Sequence, residues 1–141
     1  MAMRVHVHAA IWIEEELVVH GKAVRGREHL SLPGGRVQER ETVHAALRRE
    51  VTEETGLEIE IGDLLLAGEV NGSSVHGLVL VFGATFRDTG EYVEPQLIDP
   101  RSSAAEEVLP PVLDRLVAIR LAQPSDNPAW VGNVYEASRH M

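Results

Sequence analysis

The chain has 141 residues, and 13 Lys and Arg against 22 Asp and Glu give a formal charge of −9. Such a balance repels a phosphate backbone and argues against duplex nucleic acid as a partner. The absence of cysteine excludes a disulfide framework, a zinc–thiolate site and a thiol nucleophile, and the length suits one domain, residues 1–141, that buries its core without staples.

At the N-terminus, MAMRVHVHAAIWIEEELVV does not read as a targeting segment. One Arg precedes the apolar run, two His interrupt it and Glu14, Glu15 and Glu16 follow it. No apolar stretch is long enough to span a bilayer, so the expectation is a cytoplasmic protein away from membranes. RVHVHAAIWI and ELVVHGKAV are rich in β-branched residues and read as two strands joined by a tight connection. His6 and His8, two apart, share one strand face and are expected to be half-buried strand residues rather than a metal pair. HLSLPGG reads as a short extended piece stopped by Pro33 and the glycines.

From Thr42 to Thr55 there is no Gly or Pro, and Ala, Leu, Arg and Glu dominate. That segment is a predicted helix, with Gly56 placed to end it in a left-handed conformation. Two long strands follow in LEIEIGDLLLAGEV and HGLVLVFGATF, whose internal glycines suggest bulges. RDTGEYVEPQLIDPRSS reads as loop. AAEEVLPPVLDRLVAIRLA contains a second helix, with Pro110 and Pro111 expected in its first turn. A short strand is expected at WVGNVYE. Strands, helix, strands, helix give a mixed-sheet α/β or α+β class.

The charged helix carries the chemistry. At about 100° per residue, with Glu50 as zero, Glu53 falls at roughly −60° and Glu54 at roughly +40°. Three carboxylates therefore share an arc of about 100°. Val43, Leu47 and Val51 form an apolar stripe beside them that can pack on a sheet. Ala46, one turn before Glu50, is small enough to leave room for something to approach. Like charges on one face repel. A hard divalent cation would offset that repulsion, and a plain solvated face, moderated by Arg48 and Arg49, is an equal reading on periodicity alone.

The flanking residues decide between them. Gly34 and Gly35 allow close backbone approaches. Gly35, five residues, Glu41, seven residues, Arg49-Glu50-Val51, one residue, Glu53-Glu54, one residue and Gly56-Leu57 spell G-x5-E-x7-R-E-U-x-E-E-x-G-U, where U is bulky and aliphatic. Over residues 35–57 this is the complete signature of the Nudix hydrolases, which the sequence resembles, and LPGG before it is similar to the family's usual approach to the loop.

The resemblance implies an α/β/α sandwich with a mixed sheet and the loop-helix-loop of the family. It implies hydrolysis of a nucleoside diphosphate linked to another group, by a metal-activated water, with Mg²⁺ or Mn²⁺. Glu50 and Glu54 look like the principal metal ligands, Glu53 a further ligand or the base, and the Gly35 carbonyl a backbone ligand. Glu41 and Arg49 look like the pair that braces loop against helix. Gln38 and Arg40 depart from the Glu and Gly that many members carry there; Gln38 removes an auxiliary ligand, and Arg40 makes the loop more basic. The downstream Pro, Tyr and Ser-Gln-Pro-Trp markers of some subgroups are absent, which leaves a small nucleotide-type substrate, a nucleoside triphosphate or a sugar nucleotide among them.

Arg25, Arg27, Arg36 and Arg40 flank the glycine loop and are candidates to grip the substrate's phosphates or, as an equal reading, solvated charges; Arg36 comes first among the candidates. Trp12, Phe82, Trp130 and Tyr135 are candidates to stack on a base, each also suited to core or interface. Glu91, Glu94, Glu106 and Glu107 are candidates for an additional catalytic carboxylate, with surface charge favoured for each. A homodimer is compatible with the sequence. The alternative to an enzyme is a Nudix-fold module that senses a nucleotide without hydrolysing it.

Overall fold

The computed structural model describes residues 3–71, 76–90, 93–122 and 128–135. Glu91 therefore lies outside the described residues. In chain order the elements are β1 (Arg4–Ile13), β2 (Glu16–Val24), β3 (Arg27–Ser31), β4 (Gly34–Arg36), α1 (Val43–Thr55), β5 (Ile59–Asn71), β6 (His76–Phe86), β7 (Gln96–Ile98), a 3-10 turn (Ser103–Glu107), α2 (Leu113–Leu121) and β8 (Ala129–Asn133).

The sheet runs β3-β2-β1-β6-β5-β8, with β4 paired to β1 and β7 to β2. β1 pairs with β6 in parallel and β5 with β8 in parallel, while the other pairings are antiparallel. This is a mixed sheet. β5 shifts register against β6 between Ile61 and Leu64 and again before Leu66, beside Gly62. The glycine-linked irregularity expected there is present.

Alternation along β1 divides the interior in two. Val7, Ala9 and Ile11 pack with Ala46, Leu47 and Val51 of α1. Ala10 packs with Leu113 and Leu116 of α2, in a second cluster on the other side. Period-2 side chains of one strand thus feed both helical layers, which makes the sheet the middle of an α/β/α sandwich. Leu47 and Val51 are fully buried and Val43 packs against the same cluster, so the predicted stripe is the packing face.

Several local expectations need correction. Ala46 leaves no open space beside the glutamates, because it is fully buried in the α1 cluster. At roughly −40° on the same wheel it lies within the arc of the glutamates, which overlaps the arc that faces the sheet. The segment read as loop contains β7, which pairs Leu97 and Ile98 with Val18 and Leu17. Pro110 and Pro111 precede α2 rather than starting it; the helix begins at Leu113 after a cis Leu109–Pro110 bond. The residue before them instead pairs in parallel with the end of β3, Leu109 N–H donating to the Leu30 carbonyl and Leu32 N–H to the Leu109 carbonyl.

Candidate active site

The site is built where β4 runs into α1. Helix α1 starts from Thr42, whose hydroxyl accepts the Ala45 N–H at 3.1 Å. It ends at Gly56, which has φ +74° and donates its N–H to the Thr52 carbonyl. Both ends are thereby fixed, and Glu50, Glu53 and Glu54 occupy the last two turns.

Gly34 and Gly35 are required by close packing. A Cβ on Gly34, which has φ +149°, would sit 2.1 Å from the Val7 carbonyl oxygen. A Cβ on Gly35 would sit 2.6 Å from the carboxyl carbon of Glu50. The Glu50 carboxylate therefore lies directly on the Gly35 backbone. Glu54 reaches the same turn, accepting the Gly34 N–H on Oε1 at 2.8 Å.

Arg49 ties these parts together. Its Nε and one terminal nitrogen donate to the two oxygens of Glu41 at 2.7 and 3.0 Å, a fork-on-carboxylate pair. The other terminal nitrogen donates to Glu50 at 3.0 Å and more distantly to Glu53 at 3.4 Å. A further bond at 3.3 Å reaches the Arg36 carbonyl. Arg49 so connects the loop, through Glu41 and Arg36, to the helix face that carries the glutamates. Hydrogen bonds from Arg49, and then from the Gln38 N–H, hold the Glu41 carboxyl down to about pH 2. Hydrogen bonds to Glu41 first, and then to Glu50, raise the Arg49 pKa above its ordinary value against the opposing effect of burial.

Two site residues come from β2 and carry no motif. His20 Nε2 is in contact with Glu54 Oε2. Lys22 Nζ lies 3.5 Å from the Gly34 carbonyl oxygen. Burial alternates along this strand, with His20, Lys22 and Val24 half-buried and Gly21 and Ala23 exposed. The period-2 pattern in VVHGKAV was the available signal: it puts His20 and Lys22 on the face of Val18, which belongs to the α1 cluster.

Beneath the turn, His8 is 93 % buried, and its Nδ1 donates to the Leu32 carbonyl at 3.2 Å. Burial, the largest influence, lowers its pKa to about 4. His6 is also lowered, by burial first and then by Lys22, Arg36 and Arg4. The expectation of half-buried strand residues holds for His6 and understates His8.

The arginine candidates separate. Arg36 is exposed at the end of β4, beside the cluster, and pairs in register with His6. Arg25 occupies the β2–β3 turn at φ +51°, followed by Gly26 at +77°, and Arg27 opens β3. Three residues past Lys22, Arg25 lies on the order of 10 Å farther along the hairpin. Glu106 and Glu107 are exposed on the 3-10 turn and Glu94 is exposed in the loop before β7. Trp130 and Tyr135 are exposed, Phe82 lies in the α1 cluster with its ring edge-on to His44, and Trp12 is covered by the Arg120 guanidinium at 4.0 Å.

A cavity of about 890 Å³ opens on the α2 side, lined by Trp12, Leu65, Thr85, Leu116, Ile119 and Arg120 among others. Trp12 is four residues beyond His8 along β1, roughly 13 Å away. Glu60 and Asp63 line this cavity, and Glu50, Glu53 and Glu54 do not.

The carboxylates supply hard oxygen donors of the kind Mg²⁺ or Mn²⁺ takes, and the bare backbone of Gly35 leaves a cradle against Glu50. Among the described residues, no three His, Asp or Glu side chains form a metal-binding cluster. Protein donors hold the glutamates in this structure: Arg49 for Glu50 and Glu53 and the Gly34 N–H for Glu54, with His20 Nε2 in contact with Glu54.

Among curated proteins none matches the chain. Solved structures do. A MutT Nudix hydrolase from Burkholderia pseudomallei is 28% identical, with 71% of this chain and 77% of that one covered and a TM-score of 0.58. A Nudix hydrolase from Nitrosomonas europaea is 18% identical over 89% of this chain and 99% of that one, at 0.70. An ADP-ribose pyrophosphatase from Streptococcus suis 89-1591 is 19% identical over 92% and 99%, at 0.62. The family model described as NUDIX domain matches residues 3–118, and with that match the chain belongs to the Nudix family of pyrophosphohydrolases.

Proposed function

We propose that this chain is a metal-dependent enzyme that cleaves the pyrophosphate bond of a nucleoside diphosphate linked to another group, at the turn formed by Gly34, Gly35 and α1. The observation that carries this reading is the convergence of Glu50 and Glu54, one helical turn apart, on the backbone of the two glycines. Glu50, Glu54 and the Gly35 carbonyl would hold Mg²⁺ or Mn²⁺. When bound, the cation neutralises phosphate charge and lowers the pKa of a water.

The chain's own groups do the rest. Glu53, with its side chain 60% exposed, takes the proton of the attacking water. That water's oxygen bonds to phosphorus as the bridging P–O bond breaks, releasing two phosphorylated products. Arg36 and Lys22 bring positive charge to the phosphates of the substrate, which matters in a chain of charge −9. Arg25 and Arg27, on the hairpin tip, serve a distal part of the substrate. Glu41 fixes Arg49, and Arg49 fixes Glu50. The substrate is a small nucleotide-type compound, a nucleoside triphosphate or a sugar nucleotide among them, since the downstream markers of other subgroups are absent.

A panel of nucleoside triphosphates, ADP-ribose, sugar nucleotides and dinucleoside polyphosphates tests the proposal, assayed with Mg²⁺ and again after EDTA. Steady-state turnover of at least one compound, abolished by EDTA, is the expected result. Stoichiometric nucleotide binding with no turnover of any compound would favour a sensing module instead.

A further inference from the structure

We infer that His20 is a positioning residue for Glu54, setting the metal affinity of the site from outside the helix that supplies its carboxylates. The inference rests on the reading of Glu54 as a ligand and adds a residue that no motif names. Glu54 sits in the last turn of α1 and is gripped from two directions. The Gly34 N–H meets Oε1 at 2.8 Å, and His20 Nε2 touches Oε2. The side chains of His20 and Glu54 are 14% and 13% exposed, so both face little water.

His20 Nε2 is itself buried and has no aligned hydrogen-bond partner among the described residues. A buried ring N–H costs free energy unless it is met, and Glu54 Oε2 is the polar atom against it. A turn of the imidazole would align the two. With the proton on Nε2, the ring donates to the carboxylate, and Oε1 is held at the same time by the glycine turn. One rotamer of Glu54 is then fixed, with the carboxylate kept at the turn where Glu50 also lies. Strand β2 provides a rigid base, since His20 pairs with Ser31 of β3.

Outer partners of ligating carboxylates typically change metal affinity by about 10–100-fold. The experiment titrates Mn²⁺ into wild type, His20→Ala, His20→Gln and Glu54→Gln by calorimetry, and measures the Mg²⁺ dependence of turnover for each. Thermal melts in EDTA check that each variant folds. His20→Ala should weaken Mn²⁺ binding by about 10–100-fold and raise the Mg²⁺ requirement, with kcat recovering at saturating Mg²⁺. His20→Gln, which keeps an N–H donor near the position of Nε2, should regain most of the affinity.

Unchanged Mn²⁺ affinity in folded His20→Ala, with Glu54→Gln impaired, would overturn the role of His20 alone. So would a loss in His20→Ala that glutamine does not relieve. Absence of Mn²⁺ binding in wild type, or full affinity in Glu54→Gln, would overturn the underlying assignment of Glu54.

Discussion

Two glutamate-bearing segments lie beside the two helices of this molecule, and they end up differently. Glu50, Glu53 and Glu54 are in the last two turns of α1, while Glu106 and Glu107 are on the 3-10 turn before α2. The α1 carboxylates meet Arg49 of their own helix, braced by Glu41 of the loop, and groups from two other elements: the Gly34 and Gly35 backbone of β4 and His20 of β2. Glu106 and Glu107 stand exposed. Carboxylate density is similar, and the difference is convergence. A cluster of like charges becomes a site when separate elements hold it in one geometry.

The largest way to break this contrast is Glu50→Gln. It removes a charged oxygen donor from the Gly35 cradle and should lower kcat/KM by on the order of a thousandfold, about 4 kcal/mol. The melting temperature in EDTA should change little, because the amide keeps the size of the carboxylate. A stability loss that accounts for the activity loss would place Glu50 in the scaffold instead.

Acid stability sharpens the contrast from the other side. His8 lies under the glycine turn, and burial holds its pKa at about 4 against an ordinary 6.5. Between those values the unfolded chain binds a proton that the folded chain does not, so stability rises with pH across that window. The stability it contributes is complete above pH 6.5 and is lost as pH falls through 4, an effect of roughly 3 kcal/mol. Urea unfolding in EDTA between pH 4 and 7 should show that slope, and the slope should flatten in His8→Asn. An unchanged slope in that variant would assign it to other groups.

Glu41→Gln tests the brace. Glu41 acts on Glu50 through Arg49, so kcat/KM should fall by about 10–100-fold, less than for Glu50→Gln, with Mn²⁺ still bound. Loss of metal binding as complete as in Glu50→Gln would make Glu41 a ligand. At the small end, Glu106→Gln and Glu107→Gln should leave stability within about 0.5 kcal/mol of wild type, as for ordinary surface substitutions, and activity unchanged. A hundredfold drop in either assay would mean that the α2 segment supplies a catalytic carboxylate.

What could be read in advance follows the range of the interactions. The span of α1, its left-handed Gly56 ending and the packing of Val43, Leu47 and Val51 are local or periodic, and they were legible. The spacing from Gly35 to Leu57 was legible because loop and helix are contiguous, so the residues that meet there are all within 23 positions. His20 and Lys22 were not. They reach Glu54 and Gly34 only after β2 pairs with β3, and the strand pattern does not say what lies above a given face.

β7 escaped notice for a related reason. Three residues are too few to show alternation, and QLI is a strand because the stretch Leu17–Val19 of β2 offers it an edge. The proline pair misled because a local rule for helix starts was applied where a long-range pairing with β3 governs the segment. Ala46 misled because arcs on a helical wheel are wide, and the arc of the glutamates overlaps the one that meets the sheet.

The central claim is that the carboxylates of α1 and the glycine turn hold one functional metal. Anomalous diffraction from crystals soaked in Mn²⁺ tests it most directly. The account predicts a peak within ligand distance, about 2.0–2.3 Å, of Glu50, Glu54 and the Gly35 carbonyl, and its disappearance in Glu50→Gln crystals. A Mn²⁺ peak at some other cluster with none at the glycine turn, in an enzyme that turns over in the same buffer, would contradict it.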